Sequence, residues 1–317
     1  MTPTARKRDF DTEKLRQKLK LKHLEAKKAF AEKYPHLKKV LEEKGIDVGK
    51  IRDQSAKVLG IGFLTGSLLI SSPKSLSSLP SPTEIIEKVR SKDKKTKSAD
   101  AKKIIIETFK SVLPDNPRPL TRNEEKLLEQ VFKGVYGLKT KASLEGEHLN
   151  TTYGYIGYEQ HLRRYPGDTL GNHSPAGVSG LEDKHVLSAG IAPGLGAWGY
   201  FAPYESELTQ DLIETERWYA VVQTLYLPDW NSRQPHLKNW YKYRKVLIVN
   251  TENGKAVVAA IADSGPAAWT GKQFGGSPEV MNYLGGERYR KGKVIIFFVD
   301  DPDNEVPLGP VDIESTK

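Results

Sequence analysis

The densest run of side chains able to do chemistry lies between Thr151 and Gly180, where Glu159, His161, Arg163 and Asp168 fall close together. A carboxylate and an imidazole two residues apart can serve general acid–base catalysis, because each can hold or release a proton once its surroundings tune it. The stretch reads TTYGYIGYEQHLRRYPGDTLGNHSPAGVSG, rich in Tyr and Gly and poor in aliphatic residues. That texture predicts loop and turn, where catalytic groups concentrate, and it suits a sugar or peptide surface. The same residues have a plainer use, with Glu159 and His161 pairing with nearby arginines to pin an irregular segment. His161 and His173 are twelve apart, and no carboxylate–histidine spacing here matches a zinc pattern, so no metal is expected. No cofactor is expected either. Cysteine is absent, which excludes a disulfide scaffold, a thiolate metal site and a cysteine nucleophile.

Aromatic residues crowd the same half of the chain: Trp198, Tyr200, Trp218, Trp230, Trp240, Tyr241, Tyr243 and Trp269. Their flat faces can stack on sugar rings or fill a core. Asp229–Arg244 (DWNSRQPHLKNWYKYR) shows no strand alternation and predicts a surface loop that presents its aromatics.

Elements that could position these groups begin near residue 190. Trp218–Leu227, Lys245–Asn250, Lys255–Ala262 and Lys293–Val299 are β-branched and aromatic, the pattern of strands. Asn253-Gly254 is a hairpin signal between the second and third. Ala262–Pro266 (ADSGP) makes a sharp bend after the third. Ser277 as N-cap and Pro278 at the first helical position open a short helix over Ser277–Gly285. Short strands with one brief helix predict a small β-barrel over about 190–305, inside a loop-rich region 142–317.

The front of the chain differs in composition. Of 317 residues, the first 150 carry 33 Lys/Arg against 20 Asp/Glu, and the remainder 16 against 20. A nucleic-acid enzyme would carry its basic patch on the domain that reads the ligand, so no nucleic-acid partner is expected; a cytosolic protein whose basic tail binds nucleic acid is the remoter reading. Residues 1–57 predict a basic helical tail, with Leu15, Leu19, Phe30, Tyr34, Leu37 and Leu41 recurring at helical spacing. Residues 58–73 (VLGIGFLTGSLLISSP) carry no charge and predict a membrane anchor or a signal h-region, with a buried core helix as the alternative. A Ser/Pro linker at 74–83 follows, then a helical spacer at 84–141 whose last helix is opened by a Thr121–Glu124 capping box. The fold class expected is α+β, with N-terminal helices ahead of a six-stranded barrel. Oligomeric state is left open.

The order from Val246 to Val299 resembles a known family. Paired strands with an Asn-Gly turn, then Asp263-Ser264-Gly265-Pro266, then Ser277-Pro278 and a helix ending in Leu284-Gly285, resemble the double-psi β-barrel of the rare lipoprotein A family of septal lytic transglycosylases, related in fold to expansins. Ala197–Tyr200 (AWGY) resembles that family's opening Trp-Tyr-Gly. The resemblance implies a wall glycan, peptidoglycan above all, as partner and Asp263 as a catalytic acid. It implies further support from Glu159, His161 or Glu205, and sugar contacts from Trp198, Tyr200, Trp230, Trp240 and Trp269. Asp263 in a structural role would instead cap its own turn. The chain departs from the family at two points: the second family Asp falls on Gly275 or Gly276, and the family histidine falls near Val222 or Gln223. Either Glu159 or His161 substitutes for the lost groups, or the barrel is a non-catalytic wall-binding or scaffolding module. The protein implied is an extracytoplasmic envelope protein, anchored or secreted, with its basic tail in the cytoplasm.

Overall fold

The computed structural model describes residues 81–90, 97–174 and 186–313. The expected basic tail, hydrophobic segment and most of the linker lie outside those residues. Among the described residues no helix is long and apolar enough to cross a membrane.

Three helices lead, α1 (Pro82–Arg90), α2 (Lys97–Val112) and α3 (Arg122–Tyr136). The capping box read from the sequence forms at α3: the Thr121 hydroxyl accepts from the Glu124 N–H while Glu124 accepts from the Thr121 N–H. Short strands β1 (Thr140–Lys141), β2 (Ser143–Leu144) and β3 (Glu147–His148) follow, then β4 (Tyr153–Tyr158). Helix α4 (Gln210–Arg217) leads into β5 (Tyr219–Val222), and α5 (Trp230–Tyr241) into β6 (Lys245–Asn250) and β7 (Ala256–Ser264). After β8 (Phe274–Gly276) come α6 (Pro278–Gly285), β9 (Lys291–Val299) and β10 (Gly309–Val311).

Six of these strands close into a barrel in the order β4–β9–β6–β7–β5–β8 and back to β4. Two pairings are parallel, β4 with β8 and β5 with β7, and the other four are antiparallel. Alternate residues serve two cores. Ile156, Val222, Ile248, Ala259, Phe274 and Ile296 belong to a cluster drawn from all six strands, closed by residues of α5 and α6. The intervening Tyr153, Leu247, Val249, Val258, Ile295 and Phe297 pack instead against Ile105, Phe109, Leu128 and Phe132 of the leading helices. Burial on both faces explains why Lys245–Asn250 and Lys293–Val299 read as nearly continuous apolar runs.

The expected α+β class and closed barrel are observed, with three corrections in detail. The barrel starts at Tyr153, ahead of the expected residue 190, because Tyr153–Tyr158 is a strand where loop was expected. Its glycines carry the reason: a Cβ at Gly154 would meet the Gln273 side chain at 2.8 Å and one at Gly157 the Lys272 side chain at 2.1 Å, so their absence lets the segment entering β8 cross β4. Pairing to β8 and β9 on both sides overrides the weak local β-propensity of a Tyr-Gly run. Asp229–Arg244 is largely the helix α5, with Trp230, Leu237, Trp240 and Tyr241 packed into the barrel cluster. The strand expected over Trp218–Leu227 stops at Val222 and gives way to a tight turn over Thr224–Tyr226.

Candidate functional site

Asp263 stands near the end of β7, opposite Val221 across a register shift in the β5–β7 pair. Its Oδ1 accepts the N–H of Ser264 at 2.8 Å and that of Ala197 at 2.7 Å. The second bond comes from the Ala197–Tyr200 turn, which is held close because Gly196 has no Cβ to strike the Ala262 carbonyl, 2.9 Å from where one would be. Among the described residues, Oδ2 has no protein partner. Burial pushes the Asp263 carboxyl above its ordinary value, and the two N–H bonds only partly offset this. A half-buried carboxyl with one oxygen clamped and the other free can carry a proton on the free oxygen.

Glu159 follows β4 directly, and its N–H donates to the Gly276 carbonyl at 3.0 Å. That bond lays its side chain over β8: a Cβ at Gly275 would stand 2.6 Å from Glu159 Cγ and Oε1. Gly275 therefore supplies room. The Lys272 ammonium lies 3.5 Å from Glu159 Oε1. Burial raises the Glu159 carboxyl, Lys272 pulls it back, and the neighbouring Asp263 charge raises it further. The Asp263 charge thus bears on Glu159 although 104 positions separate them in sequence. Gln223, at the expected histidine position, donates to the carbonyls of Pro266 and Lys272 and pins the loop between the two acids.

His161 is elsewhere. Its ring is fully buried, with Nδ1 3.3 Å from Glu216 Oε1 and Nε2 3.3 Å from the Val186 carbonyl oxygen. The His173 ring lies beside it, tilted by 47° with centroids 4.7 Å apart, Nδ1 3.1 Å from Glu216 Oε2 and Nε2 2.9 Å from Asp168 Oδ2. Arg164 completes the cluster with Nε and a second guanidinium nitrogen 2.9 and 2.7 Å from Glu216 Oε2. Burial pushes the Glu216 carboxyl up, but hydrogen bonds from both histidines and the Arg164 charge outweigh it and hold the group far below its usual range. His161, His173 and Glu216 each offer a ligand atom to one common point, these atoms all within 4.8 Å of one another. The expected pairing of Glu159 and His161 with arginines is not observed: Glu159 lies beside Lys272 and His161 beside Glu216, and Arg164 pairs with Glu216.

The remaining expected residues divide. Trp198 and Tyr200 lie half-buried in the turn that clamps Asp263, with the Trp198 indole donating to the Lys238 carbonyl at 2.7 Å. Trp269 is 88% exposed on the loop joining Asp263 to Lys272. Trp230 and Trp240 are 5% and 8% exposed, and Trp240 packs edge-on against Phe298. They fill the barrel instead of facing a ligand, because α5 turns both inward. Glu205 is exposed in a single tight turn and interacts with Tyr165. Nothing among the described contacts joins it to Asp263.

Lys272 and Glu216 are site residues that the sequence did not single out, while Gly275 and Gln223 were marked only as positions where family side chains are missing. No local signal marks Lys272 or Gly275, since both matter only through pairing of β8 with β4. A comparison of the chain with models of known protein families finds no match, and no curated protein matches its sequence.

Proposed function

We propose that the barrel binds and cleaves a wall glycan such as peptidoglycan, with Asp263 as proton donor and Glu159 as its ionised partner. The observation that carries this reading is the Glu159 carboxyl lying over Gly275, one of the two positions where the family acid is missing. It supplies in space the acid that the chain lacks at 275 and 276. The closed order with two parallel pairs, β4–β8 and β5–β7, supports a double-psi arrangement of the barrel. Breaking a glycosidic bond needs an acid for the leaving oxygen and stabilisation of positive charge developing on the ring carbon. Asp263 would give its proton to the bridging oxygen as the bond breaks. Glu159, whose ionised form the Lys272 ammonium favours, would face the positive ring carbon and accept the proton of the attacking hydroxyl. An intramolecular hydroxyl gives an anhydro-sugar end; water gives a reducing end. Exposed Trp269 would present an indole face to a sugar ring. The hydrophobic segment 58–73 would hold the protein at the envelope, which cell fractionation tests directly.

The test is incubation of the full chain with purified peptidoglycan. Soluble muropeptides with anhydro ends support the reading. Co-sedimentation with no release assigns the barrel to wall binding alone, and neither outcome with the wall removes the glycan. Gly275→Ala adds a sharper check. Its Cβ collides with Glu159, so the carboxylate swings off β8. The variant is expected to keep its fold within about 1–3 kcal/mol and to lose release about as far as Glu159→Gln does, both read by muropeptide chromatography.

A further inference from the structure

We propose that His161, His173 and Glu216 form a buried site for one divalent transition-metal cation, zinc by ligand chemistry, which fastens the segment after β4 to the end of α4. The site is separate from the Asp263–Glu159 pair and does not depend on what that pair does.

All four ring nitrogens of the two histidines face oxygen: His161 meets Glu216 Oε1 and the Val186 carbonyl, and His173 meets Glu216 Oε2 and Asp168 Oδ2. A neutral imidazole has one N–H and one lone pair. A ring with one lone pair therefore sets it toward an oxygen, and a cation at that lone pair relieves the repulsion. The two rings lie with centroids 4.7 Å apart, tilted by 47°, their side chains fully buried beside the Arg164 guanidinium. One divalent cation between the two Nδ1 atoms and Glu216 gives each inward lone pair a partner.

The surrounding groups are arranged as around a metal. Each Nε2–H donates outward, His161 to a backbone carbonyl and His173 to the Asp168 carboxylate, the arrangement that orients ligating histidines. Asp168 is itself held by the Arg164 N–H and the Asn172 amide. The Leu162 N–H at 3.1 Å and Arg164 fix the Glu216 carboxylate. Glu279 of α6 is a further buried acid, 6% exposed, whose Oε2 has no hydrogen-bond partner among the described residues. Two imidazoles and a carboxylate suit zinc and its neighbours more than magnesium or calcium. Complete burial gives such an ion a structural role.

The test uses the full chain without a histidine tag, purified without chelator and measured by elemental analysis. One zinc per chain is expected, with a melting temperature lowered by chelation and restored by Zn²⁺ or Co²⁺ but not by Mg²⁺. The Co²⁺ form is expected to show visible ligand-field absorption, a readout that needs no variant. His161→Gln and Glu216→Gln are expected to lose the metal. Protein made in zinc-supplemented medium that holds no stoichiometric metal, and whose melting temperature ignores both chelator and Zn²⁺, overturns the proposal. Full metal retention in both variants overturns it equally, because the ion then sits elsewhere.

Discussion

Asp263→Asn is expected to lower glycan release by about 10²–10⁴-fold, the usual contribution of a positioned general acid. Asparagine keeps an oxygen to accept the Ala197 and Ser264 N–H groups, so the turn and the barrel should persist with an unchanged melting temperature. What it removes is the titrating oxygen. The pH profile separates the two carboxyl groups further. In the proposed reaction Asp263 acts while protonated, so its raised value lets activity persist to higher pH than an ordinary aspartate would, and activity falls as pH rises through that value. Glu159 acts there while ionised, and because burial and the Asp263 charge raise its value against the pull of Lys272, activity falls again as pH drops through that raised value. Lys272→Met removes the cation that pulls Glu159 down. The acid limb should then move to higher pH while the alkaline limb shifts less. An acid limb that stays in place in Lys272→Met would remove Glu159 from the reaction.

Glu216→Ala is expected to cost about 3–5 kcal/mol of folding stability, the penalty for breaking a buried charged network from one side. The carboxylate is the common partner of the His161 and His173 rings, Arg164 and the Leu162 N–H, all of them buried. Removing it leaves a buried guanidinium without its counter-charge and each ring without its Nδ1 partner, His173 keeping only Asp168. Urea unfolding measures the loss, and hydrogen exchange should place the earliest opening at residues 159–174. A cost under about 1 kcal/mol, the range of an exposed ion pair, would mean that the cluster does not hold this segment to α4.

The strands legible in the sequence were those with enough apolar residues to carry their own signal. Lys245–Asn250 was read to the residue, β7 and β9 to within two, and the Asn253-Gly254 turn and Ser277 cap stand as expected. The two barrel strands it missed, β4 and β8, give four of their nine positions to glycine. Glycine contributes no side-chain preference, so only pairing partners distant in sequence could make those segments extended. The aromatic helix α5 was missed for a related reason: Pro235 within it breaks the local helical pattern, while burial of Trp230, Leu237, Trp240 and Tyr241 stabilises it.

By itself the sequence determined the class of the fold, the bend that carries Asp263, and the short list of acids from which a partner had to come. Residue types and near-neighbour spacing are local quantities, and those features follow from them. Only the tertiary structure decided that Glu159 joins Asp263 while His161 turns away to Glu216, because that choice rests on β4 pairing with β8 and on α4 packing behind the loop. Such contacts form across more than fifty residues of chain, where spacing holds no information about direction.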